Sequence, residues 1–272
     1  LSPVLPNLGP PYHFPDQLKI LGSGEVNRPL SWGKLTKEQK AFQSRKMAIH
    51  AAMIDRMDQE IGRIITHLKK RDRFDNTLII FLSDNGASAE IMVRGDGHDP
   101  TAPLGSAATY PCLGPGWSTT ANTPFKKHKT WTHEGGISTP LIAHWPQGFE
   151  AKNTFRHTPA HVIDLLPTFL EIAKIENETS IIKSPGKSLL PVFKEDQKDL
   201  HPDLWWSHEG HNAILKDGWK AVSSFKEPWE LYHLSADRSE TNNLAKKHPG
   251  KLNSLIALWN KSADQFIADS KK

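Results

Sequence analysis

Two stretches of this chain combine residues able to handle a metal ion and an anion. In the first, Phe81 to Glu90 (FLSDNGASAE), an apolar run ends in Ser83-Asp84-Asn85-Gly86. Asp84 offers a carboxylate and Asn85 an amide oxygen, both hard donors suited to Ca²⁺ or Mg²⁺. Gly86 lets the backbone turn sharply. The same residue types also make an ordinary Asx turn. The second stretch, Lys126 to Pro140, reads KKHKTWTHEGGISTP. Lys126, Lys127 and Lys129 place positive charge where an anionic group can dock, although a solvated basic loop has the same composition. Glu134 suits a general base or a carboxylate pinning the turn at Gly135-Gly136. His128 and His133 are candidate proton donors near neutral pH, in a chain that holds 14 histidines.

Weaker candidates lie elsewhere. Gly95-Asp96-Gly97-His98-Asp99 has closely spaced oxygen and nitrogen donors but lacks the length and final Glu of an EF-hand loop, and it reads as plain loop. Trp205-Trp206, His208, Glu209 and His211 form a polar-aromatic cluster whose tryptophans suit packing. The sequons at Asn177 and Asn260 are patterns short enough to arise by chance.

The elements that must position these residues are legible in outline. Thr36 and Gln39 form a capping box. Met47, Ile54, Met57, Ile61, Ile64 and Leu68 recur at helical spacing, which predicts an amphipathic helix running to about Lys70. Asp55, Asp58 and Glu60 fall on its solvated surface. Thr77 to Leu82 (TLIIFL) predicts a strand buried on both faces. Asp84 and Asn85 follow its carboxyl end, where open α/β sheets bind ligands. Residues 87 to 128 show no period and read as a long functional loop. A short strand is expected at Pro140 to His144, then a helix over Val162 to Ala173 that starts or kinks near Pro167.

Residues 174 to 203 are polar and broken by Pro and Gly, the mark of a boundary. Beyond it, strands are expected at 204–208, 212–216, 219–223 and 229–234, with a hairpin at Asp217-Gly218. Leu252, Leu255, Ile256 and Trp259 mark a closing helix. The pattern predicts an α/β layered domain over residues 1–190 and a small antiparallel α+β subdomain over 191–272.

Composition narrows the functional classes. The chain has 272 residues and a net charge of +4, too mild an excess to indicate nucleic-acid binding. No apolar run approaches the roughly 20 residues that span a bilayer. Cys112 is the only cysteine, so no intrachain disulfide forms. The opening Leu1-Ser2-Pro3-Val4-Leu5-Pro6 reads as the interior of a longer protein, so a fragment or a processed chain is expected.

Taken in order, the motifs resemble the sulfatase family: the type I, formylglycine-dependent arylsulfatases of the alkaline phosphatase superfamily. The resemblance rests on Ser83-Asp84-Asn85-Gly86, Lys129 five residues before Glu134-Gly135-Gly136, Thr139-Pro140-Leu141-Ile142 and His144-Trp145-Pro146. Asp58-Gln59-Glu60-Ile61-Gly62, Asp75-Asn76-Thr77-Leu78 and Asp164-Leu165-Leu166-Pro167-Thr168 extend it. So do Gly218-Trp219-Lys220 and Glu230-Leu231-Tyr232 with Glu240, Asn243 and Leu244. The resemblance implies an alkaline-phosphatase-like layered sheet, incomplete at its N-terminal side. It implies hydrolysis of a small-molecule or carbohydrate sulfate ester to alcohol and inorganic sulfate, in the periplasm or outside the cell. Asp84 and Asn85 would be ligands of one Ca²⁺, and Lys129 would contact the ester oxygens.

The departures concern the nucleophile. The family makes formylglycine from the Cys or Ser of a Cys/Ser-x-Pro-x-Arg motif, which is absent here. Cys112 lacks both the proline two residues on and the arginine. The early Asp-Asp metal pair and the upstream Lys and His are also absent, and His13, two residues before Pro15, is a weak substitute. The nucleophile is therefore expected upstream of this chain. Two alternatives stand: a phosphodiesterase or phosphonate monoester hydrolase of the same superfamily, and a non-catalytic remnant that binds anionic glycans. The 272-residue chain alone is expected to release no p-nitrophenol from its sulfate; Ca²⁺-dependent release well above a buffer blank would contradict this.

Overall fold

The computed structural model describes residues 19, 21–91, 97–150, 153–175, 185–197 and 200–270. Helix α1 spans Lys37–Lys70. Its capping box forms as expected: Gln39 N donates to Thr36 Oγ1 at 3.1 Å, and Thr36 N donates to Gln39 Oε1 at 3.0 Å. Its last turn carries His67, Lys69 and Lys70, charges or potential charges that complement the helix dipole. The predicted apolar face is present, but Ile54, Met57 and Ile64 stay exposed because no described element covers them. The buried residues of α1 are instead Gln43 and Lys46, and Lys46 pairs with Glu25 at 2.7 Å.

Strand β1 (Ile79–Leu82) pairs antiparallel with β2 (Leu141–His144), with Ile80 opposite Ala143 and Phe81 opposite Ile142. Side chains alternate across a strand. Ile80 and Ala143 therefore pack on a core of Leu189, Val192 and Phe193, together with Leu165. Phe81 and Ile142 point the other way and remain 44% and 61% exposed. The expectation of a strand buried on both faces is corrected: among the described residues only one face of β1 is covered. Between the strands, the expected long loop contains two helices, α2 (Gly114–Asn122) and the single turn α3 (Glu134–Ile137). After β2 come α4 (Leu165–Ile172) and α5 (Leu190–Lys194). Pro167 sits in the first turn of α4, where its missing N–H costs nothing. Arg156 gathers the last carbonyls of α5, with Nε donating to Val192 O at 2.9 Å.

The C-terminal region is a four-stranded antiparallel meander of β3 (Leu204–His208), β4 (His211–Lys216), β5 (Trp219–Ser223) and β6 (Glu230–His233). Asp217 and Gly218 both have positive φ, at 52° and 75°. That is the signature of a tight hairpin turn matched to strand twist. One face of the sheet buries Ile214, Ala221 and Leu231 against Leu255 of α6 (Pro249–Asp269). Trp205 and Trp259 stack there with ring centroids 5.4 Å apart.

The other face carries Ala213, Val222 and Tyr232, and also Lys220, which is 0% exposed. Lys220 Nζ lies 2.8 Å from Glu134 Oε1 and 2.9 Å from Glu240 Oε1. Burial opposes its charge, but Glu240 and Glu134 outweigh burial and raise its pKa. This buried ionic group joins the C-terminal sheet to α3 and the loop before it. Removing the ammonium strands two buried carboxylates, so Lys220→Ala is expected to cost about 3–5 kcal/mol. Urea unfolding checks this, and a loss below about 1 kcal/mol, the value of a surface pair, would contradict it.

Candidate cation and anion site

The site consists of two loops sewn together by main-chain hydrogen bonds. Gly86 N donates to Gly136 O at 2.9 Å, and Lys129 N donates to Ala87 O at 3.1 Å. Asn122, the last residue of α2, bridges both loops. Its Oδ1 accepts from Ala87 N at 2.8 Å, and its Nδ2 donates to Lys127 O at 3.2 Å. Helix α2 thus sets the spacing between the Asp84-Asn85 turn and the lysine loop. Sequence reading missed both α2 and Asn122. GPGWSTTAN is poor in helix formers, and a single Asn carries no motif.

Close approach explains the glycines. A Cβ on Gly86 would lie 1.8 Å from Gly135 O, and one on Gly136 would lie 1.9 Å from Trp131 O. Neither residue has positive φ. Gly86 was expected for its turn, but what the fold needs from it is the absence of a side chain.

Asp84 is exposed, and its carboxylate has no hydrogen-bond or ion-pair partner among the described residues. Asn85 Nδ2 donates to Gly86 O at 2.9 Å, which leaves Oδ1 uncommitted. Thr139 Oγ1 anchors the turn by donating to Ser83 O at 2.7 Å. Two free hard oxygens at one turn match part of a Ca²⁺ shell, which takes 6–8 oxygens in all. No group of three or more His, Cys, Asp or Glu forms a cluster among the described residues. Asp84 therefore belongs to no cluster of that size among the described residues.

The three lysines have separate environments. Lys126 Nζ donates to Glu230 Oε2 at 2.9 Å and to Tyr232 OH at 3.1 Å. Lys127 lies over the Trp131 ring, 5.6 Å from its centroid, and burial followed by repulsion from Lys126 lowers its pKa. The Lys129 side chain is 37% exposed and, among the described residues, meets only Glu90 Oε1, at a loose 3.5 Å. Trp131 N donates to His128 O at 3.1 Å, which makes Lys129 and Thr130 the central residues of a β-turn. Thr130 has a φ of +89°. The second central position of a type II turn normally takes Gly; a β-branched residue held there stores on the order of 1–3 kcal/mol.

The other candidates fall largely on the structural side of their two readings. His128 is buried, and its Nδ1 lies 2.9 Å from Ser118 Oγ. Burial and then Lys127 lower its pKa to about 4. His133 is also buried, and burial lowers its pKa against the pull of Glu230. Each is committed to a partner inside the fold, His128 to Ser118 and His133 to Glu230. Glu134 is no free base. Burial opposes its charge, but Lys220 and then Arg238 outweigh burial and lower its pKa. Of the 95–99 stretch, residues 95 and 96 fall outside the described set. In the rest, Asp99 accepts from Thr101 and His98 accepts from Tyr110 N, as in an ordinary loop. In the aromatic cluster, Trp205 packs in the core, while His211 reaches the site loop 5.2 Å from Trp131, ring centroid to centroid. His13 and Asn177 lie outside the described residues.

The buried histidines make stability pH-dependent. A base with a folded pKa below its unfolded value contributes stability that is present above the unfolded pKa and lost as pH falls through the folded one. For His128 the window runs from 6.5 down to about 4. The melting temperature is expected to fall across that window, and His128→Gln should flatten the slope. An equal slope in the variant would remove His128 as its source.

Known proteins resemble this chain along most of its length. The model of the sulfatase family matches residues 25–175, and that of the N-sulphoglucosamine sulphohydrolase C-terminal region matches residues 125–261. An uncharacterised sulfatase of Schizosaccharomyces pombe is 34% identical over 252 residues, covering 84% of this chain and 45% of that protein. An arylsulfatase of Klebsiella aerogenes is 33% identical over 195 residues, covering 65% of this chain and 41% of its own length. The chain thus spans less than half the length of these two relatives. Among solved structures, Ps i-CgsB in complex with k-i-k-neocarrahexaose aligns at a TM-score of 0.57 and 25% identity, over 85% of this chain and 44% of that one. With the family model matching more than half of its residues, this chain belongs to the sulfatase family.

Proposed function

We propose that these residues form the cation-binding and sulfate-binding side of a sulfuric ester hydrolase. The observation that carries this reading is the direct hydrogen bonding of the Asp84-Asn85-Gly86-Ala87 turn to the Lys129 loop. It puts two uncommitted oxygen donors and a weakly paired ammonium on adjoining backbone. Asp84 and Asn85 would hold a divalent cation, Ca²⁺ by family resemblance. Bound there, that cation supplies positive charge to the sulfuryl oxygens as a Lewis acid. Lys129 would bind a second oxygen of the ester and stabilise charge as it grows in the transition state. Glu90 holds the Lys129 ammonium until an anion takes its place. The formylglycine nucleophile would come from sequence outside these 272 residues. A division near residue 190 would leave the metal and sulfate contacts in the first part, with the C-terminal sheet as their support.

The substrate class is an aryl or carbohydrate sulfate monoester. The arylsulfatase relative and the neocarrahexaose bound to Ps i-CgsB support the two halves of that statement. The family match favours sulfate over the phosphodiester or phosphonate alternative. A glycan-binding remnant would bind its ligand without turnover.

In the intact enzyme, Ca²⁺ is expected to raise the melting temperature, by about 2.7 kcal/mol of stability at 100 times its Kd. Asp84→Ala and Asn85→Ala should each weaken this shift and lower p-nitrophenyl sulfate turnover by at least about 100-fold. A Ca²⁺ shift that is unchanged in both variants would sink the metal assignment.

A further inference from the structure

We infer that Thr130 is a second contact for the sulfate group, its hydroxyl donating a hydrogen bond to the anion held by Lys129. This rests on the reading of Lys129 given above. The first observation is conformational. Thr130 stands at the turn position where φ is +89°, one that glycine fills without strain and a β-branched residue does not. Nothing about the turn is loose. Lys129 N is bonded to Ala87 O, Trp131 N to His128 O, and Gly135 N to Lys126 O. The Trp131 ring is boxed in by Lys127, His128 and His211. A strained side chain kept in a rigid turn calls for a function, and such strain concentrates at ligand sites.

The second observation is the state of the hydroxyl. Nearby threonines spend theirs on main-chain carbonyls: Thr119 on Pro115 O, Thr123 on Thr119 O and Thr139 on Ser83 O. The Thr130 hydroxyl has no partner among the described residues, and the residue is half-buried. Thr132 Oγ1 is also unpartnered, but Thr132 is buried and out of reach of an incoming ligand. The Thr130 hydroxyl is both uncommitted among the described residues and accessible, one residue from the loosely paired ammonium. A hydroxyl donor beside an ammonium suits a tetrahedral oxyanion, which presents several acceptor oxygens at once.

The test uses the intact Ca²⁺-loaded protein, with inorganic sulfate as the probe and thermal melting alongside. Thr130→Ser should bind sulfate within about twofold of the natural protein, because it keeps the donor. Thr130→Ala and Thr130→Gly should each bind about five- to tenfold more weakly, the scale of one hydrogen bond. Thr130→Gly should at the same time melt higher, since glycine relieves the strained φ. If Thr130→Gly melts higher and binds sulfate as tightly as the natural residue, the hydroxyl is no contact and the inference falls. Lys129→Ala separates the two readings. If it abolishes sulfate binding while the Thr130 variants do not change it, only the Thr130 contact is lost. If Lys129→Ala leaves binding unchanged, or the natural protein binds no sulfate, the Lys129 assignment fails and takes Thr130 with it.

Discussion

The arrangement depends on a lysine with no exposed surface. Lys220 belongs to the C-terminal sheet, yet it is held between Glu134, at the start of the turn that carries Gly135 and Gly136, and Glu240 beyond β6. Glu240 also accepts from Glu134 N at 2.9 Å, so the same carboxylates fix both side chain and main chain. Arg238 Nε stands 3.5 Å from Glu134 Oε2 and brings the group to two cations against two anions. Neutral bookkeeping of this kind is what makes buried charge tolerable. Because Gly136 O receives Gly86 N, the position of Glu134 passes directly to the turn carrying Asp84 and Asn85. Through this ionic cluster and the peptide groups that follow it, the C-terminal sheet acts on the Asp84-Asn85 turn.

A second cluster repeats the principle nearby. Glu230 Oε2 receives Lys126, Tyr232 and His133, at 2.9, 2.7 and 3.1 Å. Burial opposes the Glu230 charge, but hydrogen bonds from His133 and Tyr232, with Lys126, more than offset it and lower its pKa. Three lysines within four residues would repel one another and a shared anion would be hard to place. The fold resolves this by giving each a different fate. Lys126 is consumed by the sheet, Lys127 lies along an aromatic ring, and Lys129 is left at the surface with one long contact. An anion arriving here meets one available ammonium, not a diffuse basic patch.

What was legible in the sequence follows from the range of the forces involved. Local signals were sufficient for α1, whose capping box is written in Thr36 and Gln39, and for the meander, whose Asp217-Gly218 turn needs two positive φ angles. The strand at Ile79–Leu82 and the bond-making loops around Asp84 and Lys129 followed from apolar runs and punctuation. Helix α2 was not legible, because its residues have weak intrinsic preference and its stability comes from contacts such as Trp117 Nε1 to Gln43 O at 2.9 Å. The fates of Glu134, His128 and His133 were equally hidden. Each was a plausible proton carrier by type, and each is claimed by a partner ten to about a hundred residues away. Residue type tells what chemistry is available, but long-range pairing decides which groups remain free to do it.

The glycines show the same division at the level of the main chain. By sequence, Gly86, Gly135 and Gly136 read as turn formers, yet none of the three has a positive φ. Their requirement is steric: each packs against a carbonyl at a distance where no Cβ fits. At Thr130 the relation is reversed. There the backbone asks for glycine and the chain supplies a branched side chain. Within one seven-residue segment the fold thus omits side chains where the backbone could bear them and retains one where it is strained. Packing accounts for the first choice. The second has no compensation in the surrounding contacts, which is why it directs attention to what binds beside Lys129.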